Sequence, residues 1–283
     1  MLRILRITAA AVCFILITLL FLDFTGTLRA YVGWMARIQL VPALLAVNAG
    51  VVVALLVLTL LLGRVYCSVI CPLGVFQDGV AWVSRKIQKK KRYAFTPALN
   101  GLRYILLALF VVAFFIGLAP LFALLEPYGA YGRIASNLLV PVYQEENNLL
   151  AYFAKRADSY AFYPVDVWLK SAVTFGVALV SLGGIGYLAW RNGRTYCNTL
   201  CPVGTALGFL SRFALLRPVI NLSKCNGCHQ CERNCKASCI DAQSHQIDYS
   251  RCVACMNCVA VCRQDAIRYS SARNAANPQP SGK

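Results

Sequence analysis

Four stretches of this 283-residue chain run without a charged residue: Ile7 to Leu22, Ile38 to Gly63, Tyr104 to Leu125 and Ser171 to Trp190. Each is rich in Leu, Val, Ala and Phe, and each is close to the roughly 20 helical residues that cross a hydrocarbon core. Runs this long with no polar alternation are not barrel strands, and lipid offers no partner to a free backbone group, so the form they predict is helical. The expectation is an all-α membrane domain of four transmembrane helices. With 59% hydrophobic and 14% charged residues, the chain is also too apolar for an ordinary soluble domain. Arg3 and Arg6 ahead of the first run would suit a secretory signal. Asp23, Phe24 and Thr25 follow it without a small-residue cleavage pattern, so the run is expected to be retained.

Charge then orients the chain. With four spans, the amino end, the 64–103 loop and everything after residue 190 share one side, which holds 22 of the 28 Lys and Arg but only five of the 11 Asp and Glu. The formal net charge of +17 therefore lies on one face. By the positive-inside rule that face, with both termini, is cytoplasmic, and the membrane is a bacterial inner membrane. The run RKIQKKKR at 85–92 would suggest nucleic acid in a soluble chain. Here it reads as a topology determinant touching anionic headgroups, and no nucleic-acid partner is expected.

Fourteen cysteines are extreme for a cytoplasmic face, where disulfides are disfavoured, and point to metal or redox chemistry. Nine lie between Cys225 and Cys262, and eight of these spell C-x2-C-x2-C-x3-C twice: Cys225, Cys228, Cys231, Cys235, then Cys252, Cys255, Cys258, Cys262. The offset of 27 residues extends beyond the cysteines, since INLSKC at 220 matches IDYSRC at 247 and Ile240 matches Ile267. This is the two-cluster bacterial ferredoxin pattern, in which the fourth cysteine of each run ligates the other cluster. One 4Fe-4S cluster is thus assigned to Cys225, Cys228, Cys231 and Cys262, its twin to Cys252, Cys255, Cys258 and Cys235. Zinc also suits thiolates, but its structural sites use two close cysteine pairs and have no use for this exchange. Where such runs usually continue with proline, Lys236 and Arg263 stand instead. A cation beside a cluster favours the reduced state, so a raised potential is expected. Cys239 has Ala266 as its counterpart and reads as a packed small residue, not a ligand. His229, between two ligands, reads as a loop residue.

A second repeat lies nearer the spans. GRVYCSVICPLG at 63 returns as GRTYCNTLCPVG at 193, each directly after an uncharged stretch, which makes a parallel repeat of span plus cysteine pair. Cysteines at i and i+4 share one face of a helical turn, and the proline suits the first turn of a new helix lying at the lipid surface. Three readings of Cys67, Cys71, Cys197 and Cys201 stand open. They are buried small residues at a helix exit, or they converge on a third metal or redox centre, or they form two dithiols activated by Arg64 and Arg194 through a lowered thiol pKa.

Four spans in this order, a C-x3-C-P motif after the second and the fourth, and a terminal double-cluster domain together resemble the NapH-type polyferredoxins, a membrane component of quinol dehydrogenases. The C-terminal membrane part of NosR-type proteins and the CcoG-type copper reductases are similar. The resemblance covers residue 5 to about 270 and implies electron transfer at the cytoplasmic membrane as a subunit of an oxidoreductase complex, drawing on quinol or feeding a redox subunit. NosR-type proteins carry a flavin domain ahead of their spans, so a flavin-bearing partner is implied here.

Both histidines, His229 and His245, fall in the cysteine-rich segment, so no span can ligate haem through paired histidines. Neither a Rossmann fingerprint nor a phosphate loop appears. Residues 126–170 form an outer loop with a short helix at the interface, and Glu126, Glu145 and Glu146 read as solvated carboxylates before they read as proton acceptors for quinol. The domain plan is thus 1–216 for the helical membrane domain with motifs at 67–72 and 197–202, 217–270 for a small α+β two-cluster ferredoxin domain, and 271–283 for a disordered tail. The function expected is membrane-bound iron–sulfur electron transfer, with two alternatives: a copper-binding or copper-reducing assembly factor using the C-x3-C-P thiolates, and a structural anchor for a partner complex.

Overall fold

A computed structural model describes residues 2–23, 25–88, 92–156, 162–167 and 171–271. The chain is mostly helical, with a small sheet region at its carboxyl end. The first and fourth uncharged stretches form single helices of 21 residues, α1 (Leu2–Leu22) and a later helix, Ala172–Asn192, both long and apolar enough to cross a membrane. The other two stretches are interrupted, so two of the four expected spans are single helices of that length among the described residues. In the second, a short helix Leu40–Leu45 stops at Val47, whose φ is 52°, and α2 (Ala49–Leu62) restarts behind Asn48, whose side chain accepts from the Val51 amide. In the third, α4 (Asn100–Ile116) closes on Gly117 at φ 77°, a left-handed position that suits glycine, and α5 (Ala119–Leu125) begins with a proline in its first turn. Between them, α3 (Pro72–Ile87) follows the first cysteine motif.

The broken pieces fold back on their neighbours. Leu40–Leu45 packs on α2, and Phe122 of α5 stacks on Phe110 of α4 with ring centroids 4.5 Å apart. The expected outer loop is mainly helix: α6 (Pro127–Ile134), a π-helical turn at Ala135–Leu139 and α7 (Val140–Arg156) run on without a break. Helix α6 packs against α3 and against α8 (Ala172–Asn192), and α9 (Pro202–Ser211) follows the second cysteine motif.

In the carboxyl-terminal part, β1 (Leu216–Ile220) pairs antiparallel with β4 (Ile267–Ser271), and β2 (Ile240–Asp241) with β3 (Gln246–Ile247). The 27-residue repeat is visible in the register: Ile220 faces Ile267 while Ile247 faces Ile240, so each half lends a strand to the other. It is visible again in left-handed backbone, at Gly227 and Ala254, His229 and Met256, Ser238 and Asp265. Ser271, placed in the tail by the sequence reading, is the last residue of β4, and 272–283 lie outside the described residues. One core cluster runs from Ile17 of α1 through Tyr66, Leu73 and Leu207 to Cys239 and Ile267.

Candidate metal centres

In the sheet region, Cys225, Cys228, Cys231 and Cys262 line one hollow, floored by Ile220 and Ile267. Cys252, Cys255 and Cys258 line a second together with Cys235 and with Cys239. Each fourth cysteine has therefore crossed to the other run's three, because the strand exchange brings the end of each half against the start of the other. No carboxylate lines either hollow among the described residues. Sets of soft thiolate donors around a hollow, with no carboxylate among them, fit 4Fe-4S clusters. Cys239 is 1% exposed, with its sulfur 3.5 Å from that of Cys235. Hydrogen bonds to Cys235 and Cys252, and then burial, push its thiol well up. The sequence placed Cys239 near a cluster but gave no sign that it touches two members of one cysteine set. His229 is half-buried, with Nδ1 3.1 Å from Glu232 Oε2.

The two C-x3-C-P segments fold alike. Tyr66–Ile70 and Tyr196–Leu200 are π-helical turns, wider than the α-turn expected, closed by the Cys71 amide on the Tyr66 carbonyl at 3.0 Å and the Cys201 amide on that of Tyr196 at 2.9 Å. Such single π turns concentrate at functional sites. Pro72 and Pro202 then open α3 and α9 in their first turns, as the spacing predicts. All four cysteines are at most 4% exposed.

Two arginines cross between the repeats. Arg64 Nη2 donates to the Cys197 carbonyl at 3.1 Å, and Arg194 Nη1 to the Cys67 carbonyl at 2.7 Å. Each also lies near the first cysteine of its own motif, at 3.8 Å from Cys67 Sγ and 3.9 Å from Cys197 Sγ. Gln77 Nε2 is 3.1 Å from Cys197 Sγ, and the Gly204 amide 3.3 Å from Cys201 Sγ. Burial pushes the thiols of Cys71, Cys197 and Cys201 up; at Cys197 the Arg194 and Arg64 guanidinium groups pull the other way without overcoming it. That direction runs against activated dithiols, which need a lowered pKa. Among the described residues no three His, Cys, Asp or Glu side chains close tightly enough for a single metal ion.

This site also receives the sheet region. Ser250's carbonyl accepts from Arg64 Nη1 at 3.1 Å and Arg103 Nη2 at 3.2 Å, Asn198 Nδ2 donates to the Ala237 carbonyl at 3.2 Å, and the Arg194 amide to the Lys236 carbonyl at 2.8 Å. Ser250 and Lys236 each stand within two residues of a cysteine lining the second hollow, so that hollow faces the helices while Cys228 of the first is exposed. Asp78 of α3 binds Arg194 Nε at 2.6 Å, Arg6 at 3.0 Å and the Lys236 ammonium, and despite its burial the cations hold its carboxyl well below the usual range. Lys236, expected to act as a free cation beside a cluster, is 6% exposed and shares its charge with Asp78. Arg263 is exposed.

Each motif tyrosine reaches a break in the helices. Tyr66 donates to Gln39 Oε1 at 3.0 Å and accepts from the Leu40 amide at 3.2 Å, and Tyr196 donates to the Leu125 carbonyl at 3.4 Å. Gln39 and Glu126 precede the helices Leu40–Leu45 and α6 as caps. Glu126 is 6% exposed, correcting its reading as a solvated carboxylate. Its side chain accepts from the Tyr128 amide at 3.2 Å and from the Gly129 amide. Burial pushes its carboxyl up to about 7. Glu145 and Glu146 are exposed, as expected.

The fold and these cysteine sets define a ferredoxin-type 4Fe-4S electron-transport protein. A family model described as a 4Fe-4S binding domain matches residues 45–91 and again 174–222, the two segments carrying the C-x3-C-P motifs, and another of the same description matches 245–268. The resemblance to the NapH-type polyferredoxins runs through most of the chain. It is 25% identical to the ferredoxin-type protein NapH of Haemophilus influenzae over 84% of this chain and 72% of that one. An uncharacterized protein of Methanocaldococcus jannaschii is 24% identical over 87% and 80% of the two chains. The electron transport protein YccM of Escherichia coli, described as putative, is 24% identical over 83% of this chain and 59% of its own length. No solved structure matches.

Proposed function

We propose that the protein is a four-span component of a bacterial inner membrane, with cytoplasmic termini, that passes single electrons between the quinone pool or a flavin-bearing redox partner and another subunit. Cys225, Cys228, Cys231 and Cys262 hold one 4Fe-4S cluster, and Cys252, Cys255, Cys258 and Cys235 a second. Cys67, Cys71, Cys197 and Cys201 hold a third iron–sulfur centre. The clusters supply one-electron chemistry. The chain supplies thiolates, excludes water around the buried sets, and holds the second set against the C-x3-C-P turns through the Arg64 and Asn198 side chains and the Arg194 amide. The observation that carries this reading is the exchange of fourth cysteines between the two hollows, beside a buried four-cysteine site.

Anaerobic purification with iron and sulfide analysis tests it. Twelve irons per chain are expected, falling to about eight in Cys67→Ser with Cys197→Ser, since each four-iron cluster needs its thiolates. Eight irons in the wild type removes the third centre, copper bound by those four cysteines supports the metal-handling alternative, and an iron-free protein ends the redox account. Reduction of the clusters by a quinol is the accompanying functional assay.

A further inference from the structure

A groove of about 1600 Å³ opens between α1, α3 and α8 and reaches the sheet region at Lys236 and Asn257. Its two ends differ. One is apolar and roomy: Ala10, Ala11 and Phe14 of α1 face Phe76 of α3 and Gly183 and Gly186 of α8. A β-carbon at either glycine would meet nothing within 4 Å. The other end is cationic, with Arg3, Arg6, Arg85, Lys86 and Lys236. Asp78 is the one carboxylate among the described lining residues, and it is already bound by Arg6, Arg194 and Lys236. The Arg6 side chain is 11% exposed, and its Nε is buried without a partner. Trp82 and Trp190 flank this end.

We infer that the groove binds one anionic phospholipid, its phosphate among Arg3, Arg6 and Lys86 and its acyl chains along α1 and α8. The inference rests on the membrane reading proposed above. Charge selects the occupant: the cations outnumber the carboxylate five to one, an excess a phosphate matches and a neutral quinone head does not. Depth agrees, since α1 from Arg3 to Ile15 spans roughly 18 Å at 1.5 Å per residue. That is about one leaflet of a hydrocarbon core roughly 30 Å thick. Tryptophans at the cationic end suit the headgroup level.

The test uses full-length protein carrying Trp34→Phe and Trp168→Phe, so that Trp82 and Trp190 remain, in nanodiscs of phosphatidylcholine with a minor fraction of lipid brominated on its chains. Brominated phosphatidylglycerol is expected to quench tryptophan about twice as strongly as brominated phosphatidylcholine at equal fraction. Arg3→Gln with Lys86→Gln should bring that ratio towards one, and Gly183→Leu with Gly186→Leu should lower quenching by both lipids at unchanged iron content. Arg212→Gln with Arg268→Gln, exposed cations away from the groove, should leave the ratio intact. Equal quenching by the two lipids overturns the inference, as does an equal fall in the Arg212 and Arg268 variant, which would mean diffuse charge attraction. A stoichiometric quinone in the organic extract without anionic preference also overturns it. Failure to enter nanodiscs of any composition instead sinks the membrane reading.

Discussion

Arg194 donates to the carbonyl of Cys67 at 2.7 Å across 127 positions of sequence, and Arg64 returns the contact to Cys197. Both arginines are fully buried. The exchange ties the two C-x3-C-P repeats into one site, and it explains the arginine ahead of each motif and the glycine after it. The arginine reaches across, and the glycine makes room: a β-carbon at Gly74 would collide with the Cys67 carbonyl and Arg194, and one at Gly204 with the Cys197 carbonyl and Arg64.

Gly74→Ala and Gly204→Ala should therefore each push an arginine off its carbonyl. Overpacking of this kind costs about 1–3 kcal/mol. In a chain this size that lowers the melting temperature by roughly 5 °C. Gly183→Ala, whose β-carbon meets open space, is the control and should melt within a degree or two of the wild type. Equal melting of all three, followed by thermal unfolding in detergent, would mean the glycines are not there for the crossing arginines.

The cysteine spacing and both repeats were legible because they are local properties of the sequence, whereas the pairing of Ile220 with Ile267 and of Ile240 with Ile247, each across the two halves, is a feature of the fold. The broken helices were not legible. Gly117, Pro120, Asn48 and Pro42 all sit inside uncharged runs, and charge counting is blind to them. Membrane helices also tolerate such residues where neighbours supply hydrogen bonds, so their presence alone decides nothing. Missing the breaks meant missing that Gln39 and Leu125 return to the cysteine turns, and with that the burial of the neighbouring Glu126. The Lys236 to Asp78 contact joins segments 158 residues apart, beyond any local pattern.

Asp78→Asn removes the carboxylate that Arg6, Arg194 and Lys236 share. Breaking a buried ion cluster by deleting one partner costs about 3–5 kcal/mol. It also leaves Lys236 uncompensated one residue from Cys235. The cluster proposed at Cys235 should then become easier to reduce, by on the order of 1 kcal/mol. That is some tens of millivolts for one electron. Potentiometric titration followed by electron paramagnetic resonance checks it: the centre at Cys235 should move upward, as should the one proposed beside Arg194 at Cys67 and Cys197, while the centre of the exposed Cys228 stays. A shift of the Cys228 centre as well, or none at Cys235, refutes the placement of Lys236 against the second set.

Cys239 offers a separate handle on the same cluster, since its thiol hydrogen-bonds both Cys235 and Cys252. A donor to a cluster thiolate stabilises the reduced state. Cys239→Ala should lower that cluster's potential without loss of iron, and Cys239→Ser, which keeps a donor, should lower it less. Loss of four irons in Cys239→Ala would instead make Cys239 a ligand.

Glu126 gives the chain a pH dependence with a fixed sign. Its carboxyl titrates near 7 in the folded protein because it is buried. Unfolded, a glutamate titrates near 4.3. Between those values the folded state binds the extra proton, so stability is fully present below the lower value and falls as pH rises through the upper one. The full difference is on the order of 3 kcal/mol, at about 1.4 kcal/mol per pH unit of separation. Asp78 works in the opposite sense, but only in acid, where its depressed carboxyl finally takes a proton. Glu126→Gln removes the titrating group and keeps an acceptor for the Tyr128 and Gly129 amides. Melting measured from pH 5.5 to 8 should show the wild type losing roughly 5 °C more than Glu126→Gln over that range. Parallel curves for the two proteins would mean that Glu126 stays ionised in place.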